Sequence, residues 1–246
     1  MTRPVALVTG GCRRLGAHIA ARLATAGYRL ALHAGHDASP EEWLAERLAG
    51  VEHDVFVADL DDGAAVDALP GRVVARFGAP VTLLVNNASR FDAMGEGAGI
   101  TDLAAHFATN ASAPVALALA VAAEGAAAVI NILDQRIAHP PRDQLAYTLS
   151  KQALAEATRT LARALAPGCR VNGVAPGLTL PTPDYAEGQV ERIARLMPLS
   201  RLPDPSEVAD AVAWLAAARS VTGQVLFVDG GAHLKSFERD FVNLAR

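Results

Sequence analysis

The chain has 246 residues, a formal net charge of -4 and two cysteines, with 51% hydrophobic, 20% charged and only 5% aromatic residues. That length and composition describe a globular chain with a sizeable core built mainly from Ala, Val and Leu, and exclude a disordered one. Mild acidity with no basic block argues against a nucleic-acid partner, and Cys12 and Cys169 offer neither a disulfide framework nor a metal spacing.

From the N-terminus, apolar runs of strand length alternate with helical patterns. Strands are predicted at Val5–Thr9, Arg29–His33, Asp54–Val57, Thr82–Val85, Ala127–Ile132, Arg170–Val174 and Gln224–Val228. Between them lie segments with apolar residues at three- and four-residue spacing, such as Leu15–Ala26 and Leu145–Ala166. Continuous rather than alternating Val/Leu/Ile strands are buried on both faces, the mark of a parallel sheet. The expectation is a doubly wound α/β domain of seven parallel strands with right-handed crossovers, helices on both faces, and no linker dividing residues 1–246. The run after Met1 is too short for a signal-peptide core. The Ala-rich stretch Val115–Leu133 is broken by Glu124, Gly125 and Asn131, so it should not span a bilayer. A cytoplasmic setting without a membrane partner is the expectation. Irregular stretches at Arg90–Gly99 and Gly177–Asp184 follow predicted strands at their carboxyl ends, where ligands of open α/β sheets sit.

Thr9-Gly10-Gly11-Cys12-Arg13-Arg14-Leu15-Gly16 joins the first strand to the first helix. Glycines permit a tight turn and close approach to a pyrophosphate, which the helix N-terminus would meet with free N–H groups. Two arginines in such a loop suit a phosphate clamp, or a solvated surface pair. After the second strand the chain reads His33-Ala34-Gly35-His36-Asp37, mixing a basic-capable with an acidic side chain. With Arg13 counted, the reading favours NADPH over NADH.

Tyr147 and Lys151 stand four apart at the start of a predicted helix, on one face. Of 22 basic residues only two are lysines, and there are three tyrosines, so this pairing is seldom a product of chance. A phenol ordinarily titrates near 10, too high for efficient work at neutrality, and a nearby ammonium should bring it down. The remaining histidines, including His33, His36 and His53, are in no metal-binding pattern, and no metal is expected.

These motifs, with Asn86-Asn87-Ala88, Asn110, Pro176-Gly177 and Asp229-Gly230-Gly231, together resemble a classical short-chain dehydrogenase/reductase over essentially the whole chain. The resemblance implies a single Rossmann-type domain with a substrate lid at about 178–200. It makes Tyr147 the general acid, has Lys151 orient the nicotinamide ribose and tune Tyr147, and has Asn110 hold a proton-relay water. Cofactor contacts would come from Gly10, Arg13, Arg14, Leu15, His36, Asp59, Leu60, Asn87, Ala88, Ser89, Lys151, Pro176 and Gly177. It also implies a homotetramer.

Three departures narrow the substrate. The usual serine 13 residues before the tyrosine is Asp134, the usual glycine at position 14 is Arg14, and Asn-Asn-Ala-Gly ends in Ser89. These changes resemble the pteridine reductase branch, including dihydromonapterin reductases, as do Phe91 and the run Val171–Leu178. A pterin is a flat polar heterocycle whose C=N takes hydride and a proton. Phe91 could sandwich it, Arg14 and Ser89 could meet its edge, Leu178 would line the site, and Asp134 with Tyr147 could protonate a ring nitrogen. Two other readings remain. One is a 3-oxoacyl or other ketone reductase, against which the polar Pro181, Pro183, Asp184 and Glu187 lean. The other is a non-catalytic NADPH-sensing module.

Overall fold

The computed structural model describes residues 3–91 and 99–245. Its centre is a seven-stranded sheet in the order β3-β2-β1-β4-β5-β6-β7. The strands are β1 (Val5–Val8), β2 (Arg29–Ala34), β3 (His53–Val57), β4 (Val81–Asn86), β5 (Ala128–Ile132), β6 (Arg170–Pro176) and β7 (Val225–Val228). Every neighbouring pair is parallel. The predicted doubly wound architecture is the one found, with strand ends shifted by a residue or two. Most of the irregular stretch predicted at Arg90–Gly99 lies outside the described residues.

Strand β1 shows why the runs are continuously apolar. Ala6 and Val8 pack into one core layer with Ile19, Leu23, Val212 and Leu215, from helices α1 (Arg14–Thr25) and α8 (Pro205–Ala217). Val5 and Leu7 pack into the opposite layer with Leu69, Val73, Leu117, Val121 and Leu161. Those come from α3 (Gly63–Phe77), α5 (Ala113–Ala123) and α6 (Leu145–Ala164). Successive side chains point to opposite faces, so a strand covered on both sides needs an apolar residue at every position.

The remaining helices are α2 (Glu42–Arg47), α4 (Ile100–Phe107) and α7 (Gln189–Leu196), and a π-helical turn, Ala108–Ser112, joins α4 to α5. Ile100–Ala123 is long and apolar enough by composition to pass for a membrane span. In the fold it contributes Leu117 and Val121 to the core beside β1, which accounts for its hydropathy.

Parallel pairing brings all strand carboxyl ends to one edge. The order reverses between β1 and β4, which opens a crevice there. A buried polar ladder fixes the register on one side of that crevice. Asn86 Nδ2 of β4 donates to Asn131 Oδ1 of β5 at 2.9 Å, and Asn131 Nδ2 donates to Thr158 Oγ1 of α6 at 2.9 Å.

Helix α8 begins in a capping box: Asp204 Oδ1 accepts from Ser206 N at 2.8 Å, Glu207 Oε2 accepts from Asp204 N at 2.8 Å, and Pro205 occupies the first helical position. Because α8 covers one face of the sheet, Asp204→Ala should lower the unfolding free energy by about 1 kcal/mol, read from urea denaturation.

Candidate active site

Thr9 ties the carboxyl end of β1 to that of β4: its Oγ1 accepts from Asn87 N at 2.9 Å and from Ala88 N at 3.0 Å. Asn87 returns the contact, its Nδ2 donating to Thr9 O at 2.9 Å and Gly10 O at 3.2 Å. Gly10 has φ +60, and a Cβ at Gly16 would lie 2.0 Å from Gly10 O and 2.6 Å from Asn87 Nδ2. Only glycine fits at residue 16, so the N-terminus of α1 closes against the loop and leaves a floor able to receive a diphosphate. His33 supports this floor from beneath, with Nδ1 accepting from Gly10 N at 3.2 Å and Nε2 2.8 Å from Ala58 O. Burial pushes the His33 pKa down, which keeps the imidazole neutral, as an accepting Nδ1 requires.

Arg14 takes φ 50, a left-handed conformation that glycine would adopt without strain. Its guanidinium donates to Leu180 O at 2.7 Å, drawing the chain after β6 over the loop. That contact compensates the strain and places a cation at the crevice mouth.

The crevice is a cleft of about 370 Å³. Gly10, Arg13, Arg14, Leu15, Asn87, Ala88, Ser89, Pro176 and Gly177 line it, and Asp134, Tyr147 and Lys151 form its inner end. A second chamber of about 340 Å³ opens from that end and shares Arg14, Ser89, Asp134 and Tyr147 with the cleft. Phe91 and Leu178, expected from the sequence to meet the substrate, line the chamber together with Arg136, Tyr185, Asp240 and Phe241, which the sequence did not single out. A third hollow of about 290 Å³ lies at the other end of the glycine loop, between Arg13 and His36. Arg13 there pairs with Asp37. Asp59, Leu60 and Asn110 line none of the three.

By resemblance Asn110 is expected to hold a proton-relay water; its side chain is fully engaged by protein. Oδ1 accepts from Arg90 N at 2.7 Å and Ser89 Oγ at 3.3 Å, while Nδ2 donates to Arg90 O and Ser150 Oγ, both at 3.0 Å. Both amide hydrogens and both lone pairs are taken, so a relay through residue 110 would fall to its main chain. Ser150, unnoticed in the sequence, donates onward to Tyr147 O at 2.7 Å and locks α6 to this clip.

One expectation needs correction, and it concerns the phenol. Tyr147 Oη donates to Asp134 Oδ2 at 3.0 Å, and burial, then the Asp134 carboxylate, push the tyrosine well above its ordinary range. The foremost cation opposing them is Arg136. Lys151 Nζ donates to Ile132 O at 2.9 Å and lies 5.7 Å from the Tyr147 ring centroid. Its own pKa falls to about 8, chiefly through burial. The spacing of four did place both residues on one helix face at the cleft; it could not show which cation reaches the ring.

The sequence profile of the family described as enoyl-(acyl carrier protein) reductase matches residues 11–233. The chain belongs to the short-chain dehydrogenase/reductase family. Among solved short-chain reductases it is similar to FolM alternative dihydrofolate reductase 1 of Brucella suis, determined in complex with NADP. The two are 39% identical with a TM-score of 0.87, and the likeness covers 96% of this chain and 97% of that one. Pteridine reductase 1 of Leishmania tarentolae is 32% identical, covering 95% of this chain and 97% of its own length. Galactitol 2-dehydrogenase of Rhizobium johnstonii is 33% identical over 92% and 93% respectively. The family therefore spans several substrate classes at similar distance, and substrate has to be argued from the chamber.

The ammonium of Lys151 is a burden on the fold. Its pKa is about 8 in the folded chain against an ordinary 10.5. The penalty is thus fully present below about 8 and fades as pH rises through the unfolded value. Lys151→Met should raise the unfolding free energy at pH 7 by about 1–3 kcal/mol, with a smaller gain at pH 10, measured by chemical denaturation at both pH values.

Proposed function

We propose that the protein is an NADPH-dependent reductase of a pterin-like C=N substrate, with Tyr147 as proton donor. The observation that carries this reading is the Tyr147–Asp134 hydrogen bond at the junction of cleft and chamber. A ketone reductase needs only a hydroxyl donor to its substrate oxygen. A carboxylate beside the phenol suits a ring nitrogen that must gain a proton.

The cleft fits the cofactor. A glycine floor without room for a Cβ at Gly16 meets the diphosphate. Lys151 Nζ makes one hydrogen bond among the described residues, which leaves two donors for ribose hydroxyls. Arg13 and His36 flank a hollow suited to a 2′-phosphate, where Arg13 exchanges or shares its Asp37 partner. The NADP complexes of the Brucella relatives support the same choice over NADH. Bound in this cleft, NADPH supplies the hydride for the carbon of the C=N bond.

The chain's own residues do the rest. Phe91 and Arg14 wall the chamber around a flat ring, and Ser89 offers a hydroxyl to its edge. The Tyr147 hydroxyl turns from Asp134 Oδ2 toward the substrate nitrogen and gives up its proton. The charged lining from Arg136 and Asp240 disfavours a long acyl chain in the same space.

NADPH oxidation followed with a panel of dihydropterins tests the reading. Tyr147→Phe should lose at least about 100-fold in kcat with little change in cofactor affinity. Because Lys151 must carry its charge to hold the ribose, kcat/KM for NADPH should fall as pH rises through about 8. Equal rates for wild type and Tyr147→Phe on every substrate would sink the assignment. NADPH binding without turnover on any imine or carbonyl would favour the sensing module instead.

A homotetramer in the cytoplasm is part of the same proposal. Exposed Ile100, Leu145 and Leu149 on the adjacent helices α4 and α6, and exposed Trp214, Leu226 and Leu234 elsewhere, support subunit contacts. Light scattering should give about four times 25.6 kDa, and a mass of 25.6 kDa would contradict it.

A further inference from the structure

Arg136 is the second residue of a short 3-10 turn, Gln135–Ile137, that follows Asp134 at the end of β5. It is 6% exposed and sits between two carboxylates. Nε donates to Asp134 Oδ1 at 3.1 Å, and Nη2 donates to Asp240 Oδ2 in the C-terminal segment. Asp240 is held in place in turn: its N–H donates to Asp143 Oδ1 at 2.6 Å, and its Oδ1 accepts from Val242 N at 2.9 Å.

The guanidinium also faces two rings. Its carbon lies 4.5 Å from the Tyr147 centroid and 5.6 Å from the Phe91 centroid, and the two rings stand nearly perpendicular with centroids 5.0 Å apart. Nη1 is buried without a hydrogen-bond partner among the described residues. An orphaned N–H on a buried cation is normally an expensive arrangement, and the ring faces of Tyr147 and Phe91 are the partners that make it tolerable.

We propose that Arg136 is the positioning residue of the proton-donating pair: fixed between Asp134 and Asp240, its guanidinium aims Asp134 at the Tyr147 hydroxyl and lies against the phenol ring to offset the negative charge left when the proton is given up. This rests on the reductase reading above and assigns to a second cation the tuning that the Tyr147–Lys151 spacing suggested for lysine. Two observations separate the two. Lys151 is farther from the ring, and it donates to a main-chain carbonyl. Arg136 is nearer and permanently charged. The carboxylate pair also explains why residue 240 matters to chemistry 93 residues earlier: loosening Asp240 frees the guanidinium on one side.

The chain has three tyrosines, so protein labelled with [13Cζ]tyrosine gives three signals, and the one lost in Tyr147→Phe belongs to the phenol in question. In Arg136→Gln that signal should shift, while in Arg142→Gln, an exposed arginine paired with Glu238, it should stay. With NADPH and a dihydropterin, Arg136→Gln should lose at least tenfold in kcat with the KM for NADPH within twofold, and Arg136→Lys should recover part of the loss. Asp240→Asn, nearly isosteric, should show the same pattern more weakly and carries the test if Arg136→Gln does not fold. An unmoved Tyr147 signal, or a kcat unchanged within twofold, overturns the assignment. A wild type inactive on every dihydropterin counts against the substrate reading alone, and the labelled signal then decides the role of Arg136 by itself.

Discussion

A carboxylate, a phenol and a guanidinium share one largely buried corner at the end of β5, and the surrounding structure is arranged to make that corner tolerable. Asp134 accepts from both Tyr147 and Arg136, and Arg136 reaches Asp240 on its far side. Charges removed from water lose several kcal/mol of solvation each, recovered only when partners are close and hydrogen bonds complete. Burial of such a group adds little to stability, so its presence argues for a role in chemistry. It also requires the C-terminal segment to fold back, because one of the two carboxylates that pair with Arg136 is Asp240.

The segment is secured by means that have nothing to do with catalysis. Gln189 at the start of α7 donates to the carbonyls of Phe241, Val242 and Leu244 at 3.1, 3.1 and 2.7 Å. Ile193, Met197, Ala232 and Phe241 form a small separate core beneath. The predicted lid region is thus joined to the tail, and the two together wall the chamber. Pro181, Pro183, Asp184 and Glu187, which mark the lid in sequence, are exposed, while Tyr185 among them packs against this small core. A lid can be polar outside and still be anchored by a hydrophobic contact.

On the opposite side of the crevice the backbone carries the strain. Arg14 holds a conformation that costs about 1–2 kcal/mol for a side-chain-bearing residue. Its guanidinium then clasps the chain after β6 at Leu180. A glycine there would relax the turn and leave the mouth of the cleft without its cation. Strain at a ligand-facing turn, compensated by a contact 166 residues away, is what a site under functional constraint shows.

The sequence by itself determined the sheet, its parallel sense and the loops that form the crevice, because burial on both faces forces an apolar residue at every strand position and because glycines cluster where the first strand meets the first helix. Helical spacing also put Tyr147 and Lys151 on one face, while Asp134, Ser89 and Arg14 were placed beside them only by resemblance to the family's motifs. Only the tertiary structure decided which groups touch which. Arg136 stands two residues from Asp134 in plain view, but its importance depends on Asp240 and on two ring faces, contacts that no local pattern encodes. The Asn110 amide was likewise legible as important and illegible in role, because its four partners come from the β4 loop and from α6. Local periodicity fixes where side chains point; long-range packing fixes the distances on which charge, proton affinity and chemistry depend.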